Sequence, residues 1–165
     1  MTKLWLNGDM LDADTARIDP ADRGFLLGDG AFETMRYEAG ALRRWPRHRA
    51  RLESALLHIE IACPDFDTLE AAAAQLCEAN ALERARVRLT VSRGPSGGGL
   101  APPADAMPTV LITASALPGV QHAQSATIVE SARRDARNIS SRFKLTDYAD
   151  MLAARRDAVR QGADM

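Results

Sequence analysis

The stretch from Asp19 to Tyr37, DPADRGFLLGDGAFETMRY, constrains this chain more than any other. Two breaks, Pro20-Ala21-Asp22 and Gly28-Asp29-Gly30, bracket a short apolar piece, Phe25-Leu26-Leu27, and a strand-like run from Phe32 to Tyr37 follows. Glycine at 24, 28 and 30 lets the backbone take positive φ or approach another group closely. Such positions just ahead of a strand predict a tight crossing that presents a site. An ordinary glycine-rich turn has the same local spacing, so the rest of the chain has to decide between the two.

Ahead of that stretch, Lys3–Leu6 running into Asn7-Gly8 predicts a hairpin with a type I′ turn and Asp9–Leu11 as the partner strand. A second hairpin is expected from Phe32–Tyr37 and Ala41–Trp45 around Glu38-Ala39-Gly40. Trp45-Pro46-Arg47 looks like a helix start, and Leu52, Ala55, Leu56 and Ile59 form one apolar face, with Cys63-Pro64 ending the helix. Asp67-Thr68-Leu69-Glu70 resembles a capping box, opening a second helix whose inner face is Leu69, Ala72, Ala73, Leu76 and Cys77 and which ends near Asn80. Arg86–Val91 alternates cleanly as a half-buried strand, while Thr109–Ala114 is apolar enough for a strand covered on both faces. Ser115–Ser125 is irregular and marks a boundary. Beyond it, Thr127–Glu130 is expected as a strand and Asp147–Gln161 as a helix stopped by Gly162. The fold class is α+β: a small two-layer α/β domain over 1–118, and over 119–165 the beginning of a second, larger α/β domain.

Composition narrows the function classes. With 46% apolar and 26% charged residues, the 165-residue chain reads as a globular protein with a real core. A net charge of −1 argues against a nucleic-acid or membrane-surface protein held by electrostatics. Cys63 and Cys77 are too few for a disulfide framework and lack CxxC spacing, so both are expected as small buried hydrophobes in a reducing compartment. No signal-peptide pattern opens the chain, and the expectation is a cytoplasmic protein.

The residues that could carry chemistry are few. The basic cluster Arg43, Arg44, Arg47, His48, Arg49 and Arg51 reads as a solvated face, except that the spacing of Arg51 places it against the core. Ser92–Met107 is a long loop, of the length that is uncommon unless functional or mobile. Gly94 and Gly99 have phosphate-loop spacing, but Leu100-Ala101 stand where Lys and Ser or Thr are required, which excludes that motif. Lys144 lies between Phe143 and Leu145, four residues before Tyr148. An amine in such an apolar junction loses solvation and becomes a nucleophile, although a lone lysine is ordinarily a surface residue.

Four motifs in order, DRGFLLGDGAFETMR, HRARLESAL, RLTVSRGPSGGG and SSRFKLTDYADMLAARRDAVRQGAD, resemble the class IV aminotransferase family. These are fold-type IV enzymes using pyridoxal 5′-phosphate, and they include branched-chain and D-amino acid transaminases and 4-amino-4-deoxychorismate lyase. The resemblance spans essentially the whole chain. It implies that Lys144 carries the cofactor covalently and then shuttles the proton at the substrate's α-carbon. It further implies that Arg51 binds the cofactor phosphate, that Tyr148 falls near the cofactor's phenolic oxygen, and that Leu27 and Phe32 line the substrate pocket. Arg88 and Arg93 are candidate partners for a substrate carboxylate; a solvated strand edge and turn is the plainer reading of each.

The resemblance also carries departures. D-amino acid transaminases place an arginine and a histidine where this loop has Gly98 and Leu100, and many deoxychorismate lyases have arginine at the Gly98 position. Transamination of an amino acid, branched-chain type rather than D type, is therefore the leading expectation, with aminodeoxychorismate β-elimination as the alternative. Family members continue past Gly162 into a strand, a glutamate for the pyridine nitrogen and phosphate-binding loops. The expectation is thus a fragment of a longer enzyme, with a naturally shortened, non-catalytic chain as the other alternative. A homodimer is expected, as is common in the family, with no metal, nucleic-acid or membrane partner.

Overall fold

The structure, a computed structural model, describes residues 2–119, 123–130 and 132–164. Asn7-Gly8 joins β1 (Lys3–Leu6) to β2 (Asp9–Asp12), and Ala39-Gly40 joins β3 (Gly30–Glu38) to β4 (Ala41–Leu42). Asn7 and Ala39 hold φ of 50° and 52°, with Gly8 and Gly40 at 110° and 77°. Two-residue type I′ loops need positive φ at both central positions, because that twist matches the flanking strands. With β5 (Arg84–Ser92) and β6 (Thr109–Ala116), these strands form one antiparallel sheet in the order β2-β1-β6-β5-β3-β4.

Register assigns the two faces. Glu33, Leu89, Ile112 and Trp5 form one row across the sheet, and Met35, Val87 and Ala114 the next. This face packs under α2 (Trp45–His58) and α3 (Phe66–Ala79). Leu52, Ala55 and Leu56 of α2 and Leu69, Ala72, Ala73, Leu76 and Cys77 of α3 are all buried against it. On the opposite face, Phe32 is in register with Thr90 and Leu111, and Thr34 with Arg88 and Thr113. The alternation along β5 thus separates an apolar core layer from a polar, arginine-bearing layer.

Several expectations change in detail. The cap of α3 is Asp65, not Asp67: its carboxylate accepts from the Asp67 N–H and the Thr68 hydroxyl. Starting the helix there seats Phe66 against Trp45, with ring centroids 6.3 Å apart. α2 ends at His58, ahead of Cys63-Pro64. β6 is covered on one face only, with Val110 and Ile112 buried and Leu111 and Thr113 half-buried, because both long helices lie on the same side. Cys77 is buried, which pushes its thiol up to about 11, but Cys63 is exposed. Thr127–Glu130 takes no strand pairing among the described residues; Ser125 and Thr127 instead hydrogen-bond Asp164 and Gln161 beyond the last helix. The expected boundary over 115–125 includes residues 120–122, which lie outside the described residues.

The apolar piece Phe25-Leu26-Leu27 is helical, within α1 (Arg23–Leu27), and points outward, with Phe25 78% exposed. α4 (Ile139–Arg142) and α5 (Ala149–Arg160) complete the elements. No helix among the described residues is long and apolar enough to cross a membrane. Replacing the fully buried Leu76 with alanine is expected to cost about 2–5 kcal/mol in urea unfolding. Phe25→Ser, on the exposed turn, should change stability by no more than about 0.5 kcal/mol.

Candidate functional site

The site begins with a break in the edge of β3. β4 is two residues long and pairs only with Tyr37 and Glu38, which leaves the first half of that edge free. A distant segment fills it: the Phe32 N–H donates to the Lys144 carbonyl at 3.0 Å and the Thr146 N–H to the Gly30 carbonyl at 2.9 Å. Ala31 and Leu145 are the bridged pair, and both are buried in the helix-covered core. Alternation then turns Lys144 and Thr146 to the other face, where Phe32 lies. The Thr146 hydroxyl reaches the Gly28 and Gly30 carbonyls at 2.6 and 3.2 Å. Position 30 admits only glycine at this crossing, since a Cβ there would sit 2.6 Å from the Val91 carbonyl oxygen.

Phe32 is the centre of a compact cluster. The Lys144 Nζ lies 4.2 Å from its ring centroid and 3.3 Å from the Tyr148 hydroxyl. The Tyr148 ring is 5.3 Å from that of Phe32, and the Arg88 guanidinium carbon lies 3.6 Å from the Phe32 centroid. Cations are held at aromatic faces by the ring quadrupole. The Arg88 Nε donates to the Thr90 hydroxyl at 3.2 Å, and among the described residues Arg88 has no carboxylate partner. Partial burial lowers its pKa, although the residue as a whole stays exposed.

Arg51 approaches from α2. Its Nε and Nη2 donate to the two carboxylate oxygens of Glu33 at 2.5 and 2.7 Å, a bidentate fork. The Nδ1 of His48, one helical turn earlier, lies 2.8 Å from Oε2 of the same carboxylate. Glu33 is 1% exposed and Arg51 54%. Burial pushes the Glu33 carboxyl up, but hydrogen bonds and charge from Arg51 and His48 outweigh it and hold the group below the ordinary glutamate range. Tyr148 interacts electrostatically with both Arg51 and Arg88. Lys144, Tyr148, Phe32, Arg88 and Arg51 therefore belong to one neighbourhood.

Leu27 and Arg93 are placed differently. Leu27 ends α1 with its side chain nearly half exposed. Arg93 is buried on the opposite parity from Arg88, donating to Asp29 and to the Ile59 and Glu60 carbonyls. Asp29 also accepts from Arg23, whose other nitrogens donate to the Gly99 and Leu100 carbonyls. One carboxylate thus joins the start of β3 to the end of α2 and to the long loop. Neither Glu33 nor Asp29 was singled out from sequence. For Glu33 a signal existed: it shares strand parity with Ala31 and Met35, and a carboxylate on the buried side requires a cation.

Burial pushes the Asp29 carboxyl up, while Arg93 and Arg23 together hold it below its ordinary value. Its contribution to stability is therefore complete above the unfolded value, roughly 3.9, and is lost as pH falls through the depressed folded one. Asp29→Asn leaves two buried guanidiniums without their anion and should cost about 3–5 kcal/mol at neutral pH. Urea titrations across pH should show that this variant also lacks the corresponding acid-side loss.

Residues 30–165 match the family model for amino-transferase class IV. The aminodeoxychorismate lyase of Bacillus subtilis is 34% identical over 159 residues, covering 93% of this chain and 54% of that protein. Among solved structures, the branched-chain amino acid aminotransferase of Escherichia coli superposes with a TM-score of 0.88 at 23% identity, over 98% of this chain and 57% of that one. The 4-amino-4-deoxychorismate lyase of Pseudomonas aeruginosa gives 0.73 at 26%, over 93% and 56%. The chain spans about half the length of the relatives it matches.

Proposed function

The chain belongs to the class IV amino-transferase family, and from that premise we propose that it carries the lysine half of a pyridoxal-phosphate site acting on an amino acid. The observation that carries this is the single cluster in which the Lys144 amine, Tyr148 hydroxyl, Phe32 ring and Arg88 guanidinium meet. These residues fit the cofactor. Arg51 is half exposed with its Nη1 uncommitted among the described residues, which suits a phosphate dianion. Lys144 supplies the amine for covalent attachment, and the Tyr148 hydroxyl beside it suits a phenolic oxygen. Bound there, pyridoxal phosphate supplies an electron-withdrawing ring that acidifies the hydrogen on the substrate's α-carbon. Freed from that attachment when the substrate's own amine replaces it, the Lys144 amine would take and return that proton.

Arg88 is the partner we assign to the substrate carboxylate, in preference to Arg93, whose donors are already engaged. Phe32 and Leu27 line the pocket in this reading. Residues 1–118 form the small domain, and 119–165 belong to a larger one. The parent enzyme is a cytoplasmic homodimer that transaminates amino acids of the branched-chain type. The second reading, β-elimination from aminodeoxychorismate, is favoured by the extent of similarity to the B. subtilis lyase.

The chain, incubated with pyridoxal phosphate and dialysed, should keep a long-wavelength absorbance band that borohydride fixes and that Lys144→Ala lacks. An absent band, or one that the variant retains, overturns the site. Incubation of active protein with both substrate classes separates the chemistries. Keto acid exchange supports transamination, whereas pyruvate and 4-aminobenzoate from aminodeoxychorismate replace it with the lyase.

A further inference from the structure

Glu33 stands on the apolar parity of β3, in register with Leu89, where burying a carboxylate is costly unless it is paired. Its bonds run to two residues of α2, one turn apart. Arg51 takes both oxygens in a fork, and His48 reaches the oxygen that Arg51 Nη2 also occupies. An exposed arginine ordinarily samples many rotamers, and fixing one costs conformational entropy at each binding event. Here that cost is met on folding, because a two-point fork to a buried, doubly held carboxylate fixes both the position and the plane of the guanidinium. Nε and Nη2 bond the carboxylate, and Nη1 is uncommitted among the described residues.

Resting on the assignment of Arg51 to a phosphate, we infer that Glu33 is a positioning residue: its buried carboxylate, braced by His48, holds the Arg51 guanidinium in the orientation that receives the dianion. Charge alone makes the opposite demand. A carboxylate beside a cation weakens its pull on an anion, so removing that charge would tighten phosphate binding if Glu33 did not orient Arg51.

The test is the ratio of affinities for pyridoxal phosphate and for pyridoxal, which lacks the phosphate, in the wild-type chain, Arg51→Gln, Glu33→Gln and Glu33→Asp. Wild type should prefer the phosphorylated form, and Arg51→Gln should lose that preference. Glu33→Gln should weaken pyridoxal phosphate binding on the order of tenfold, as expected for a lost hydrogen bond to a charged group, with pyridoxal unchanged. Glu33→Asp keeps the charge but withdraws the carboxylate, and should lose preference likewise. Unchanged or tighter phosphate binding in Glu33→Gln overturns the inference alone. A wild-type chain with no preference overturns the assignment of Arg51 and the inference with it. Should Glu33→Gln fail to melt cooperatively, Glu33→Asp decides, a wild-type ratio overturning the inference. The Arg51 Nε–H signal in nitrogen-15 spectra of the wild type gives a readout without cofactor. Slow exchange supports the fork, and solvent-averaged exchange overturns it.

Discussion

Two backbone hydrogen bonds, from Phe32 to Lys144 and from Thr146 to Gly30, hold the candidate site together. Strand pairing is directional: once Leu145 enters the core opposite Ala31, its neighbours have no choice of face. The face that Lys144 takes is therefore set by alternation about the Leu145 bridge, and its amine then meets the Phe32 ring and the Tyr148 hydroxyl. The glycines at 28 and 30 serve this crossing, the first by adopting a φ of 69° at the end of α1 and the second by leaving room for the neighbouring strand. Phe32 then gathers Lys144, Tyr148 and Arg88 around one ring.

Charge is organised on two levels. Two carboxylates, Glu33 and Asp29, are consumed in holding arginines in place: Asp29 accepts from Arg23 and Arg93, and Glu33 accepts from Arg51 with His48 also at hydrogen-bond distance. On the other face, Arg88 lies against an aromatic ring without a carboxylate among the described residues. The first arrangement fixes the guanidiniums it holds; the second leaves a cation with no paired anion among the described residues. The same residue type therefore performs different work according to its neighbours, as Arg88 within β5 and Arg93 just past its end demonstrate.

Much of this was legible in the sequence. Asn7-Gly8 specified its hairpin because few dipeptides accept two positive φ values in succession, and Leu52, Ala55 and Leu56 marked the buried stripe of α2 at helical spacing. The motifs around Lys144 and Arg51 pointed to the family that the comparison then identified. What local spacing could not supply was long-range pairing. Nothing in Thr127–Glu130 distinguishes a paired strand from an extended segment, and the edge that Leu145 occupies is defined by the brevity of β4, more than a hundred residues away in the chain. Glu33 was missed although its parity with Ala31 and Met35 marked the buried face, because the partners that hold it lie on a helix 15 and 18 residues further along the chain. Asp65 rather than Asp67 caps the helix, its carboxylate accepting from the Asp67 N–H and the Thr68 hydroxyl, and Phe66 in its first turn lies against Trp45.

The shortness of β4 has a further consequence for how the molecule protects itself. An unpaired strand edge is a template for another chain, and β3 would present such an edge along Gly30–Phe32 if nothing lay beside it. Leu145 and its flanking peptide groups close that edge, so the segment that brings Lys144 to Phe32 also acts as the sheet's guard against mispairing. Because it arrives from far along the chain, closing a long loop, its docking follows the local hairpins in any order of folding governed by chain entropy. Until it docks, the chain has neither the cluster around Phe32 nor a covered edge along Gly30–Phe32: the geometry of the candidate site and resistance to aggregation are acquired in the same step.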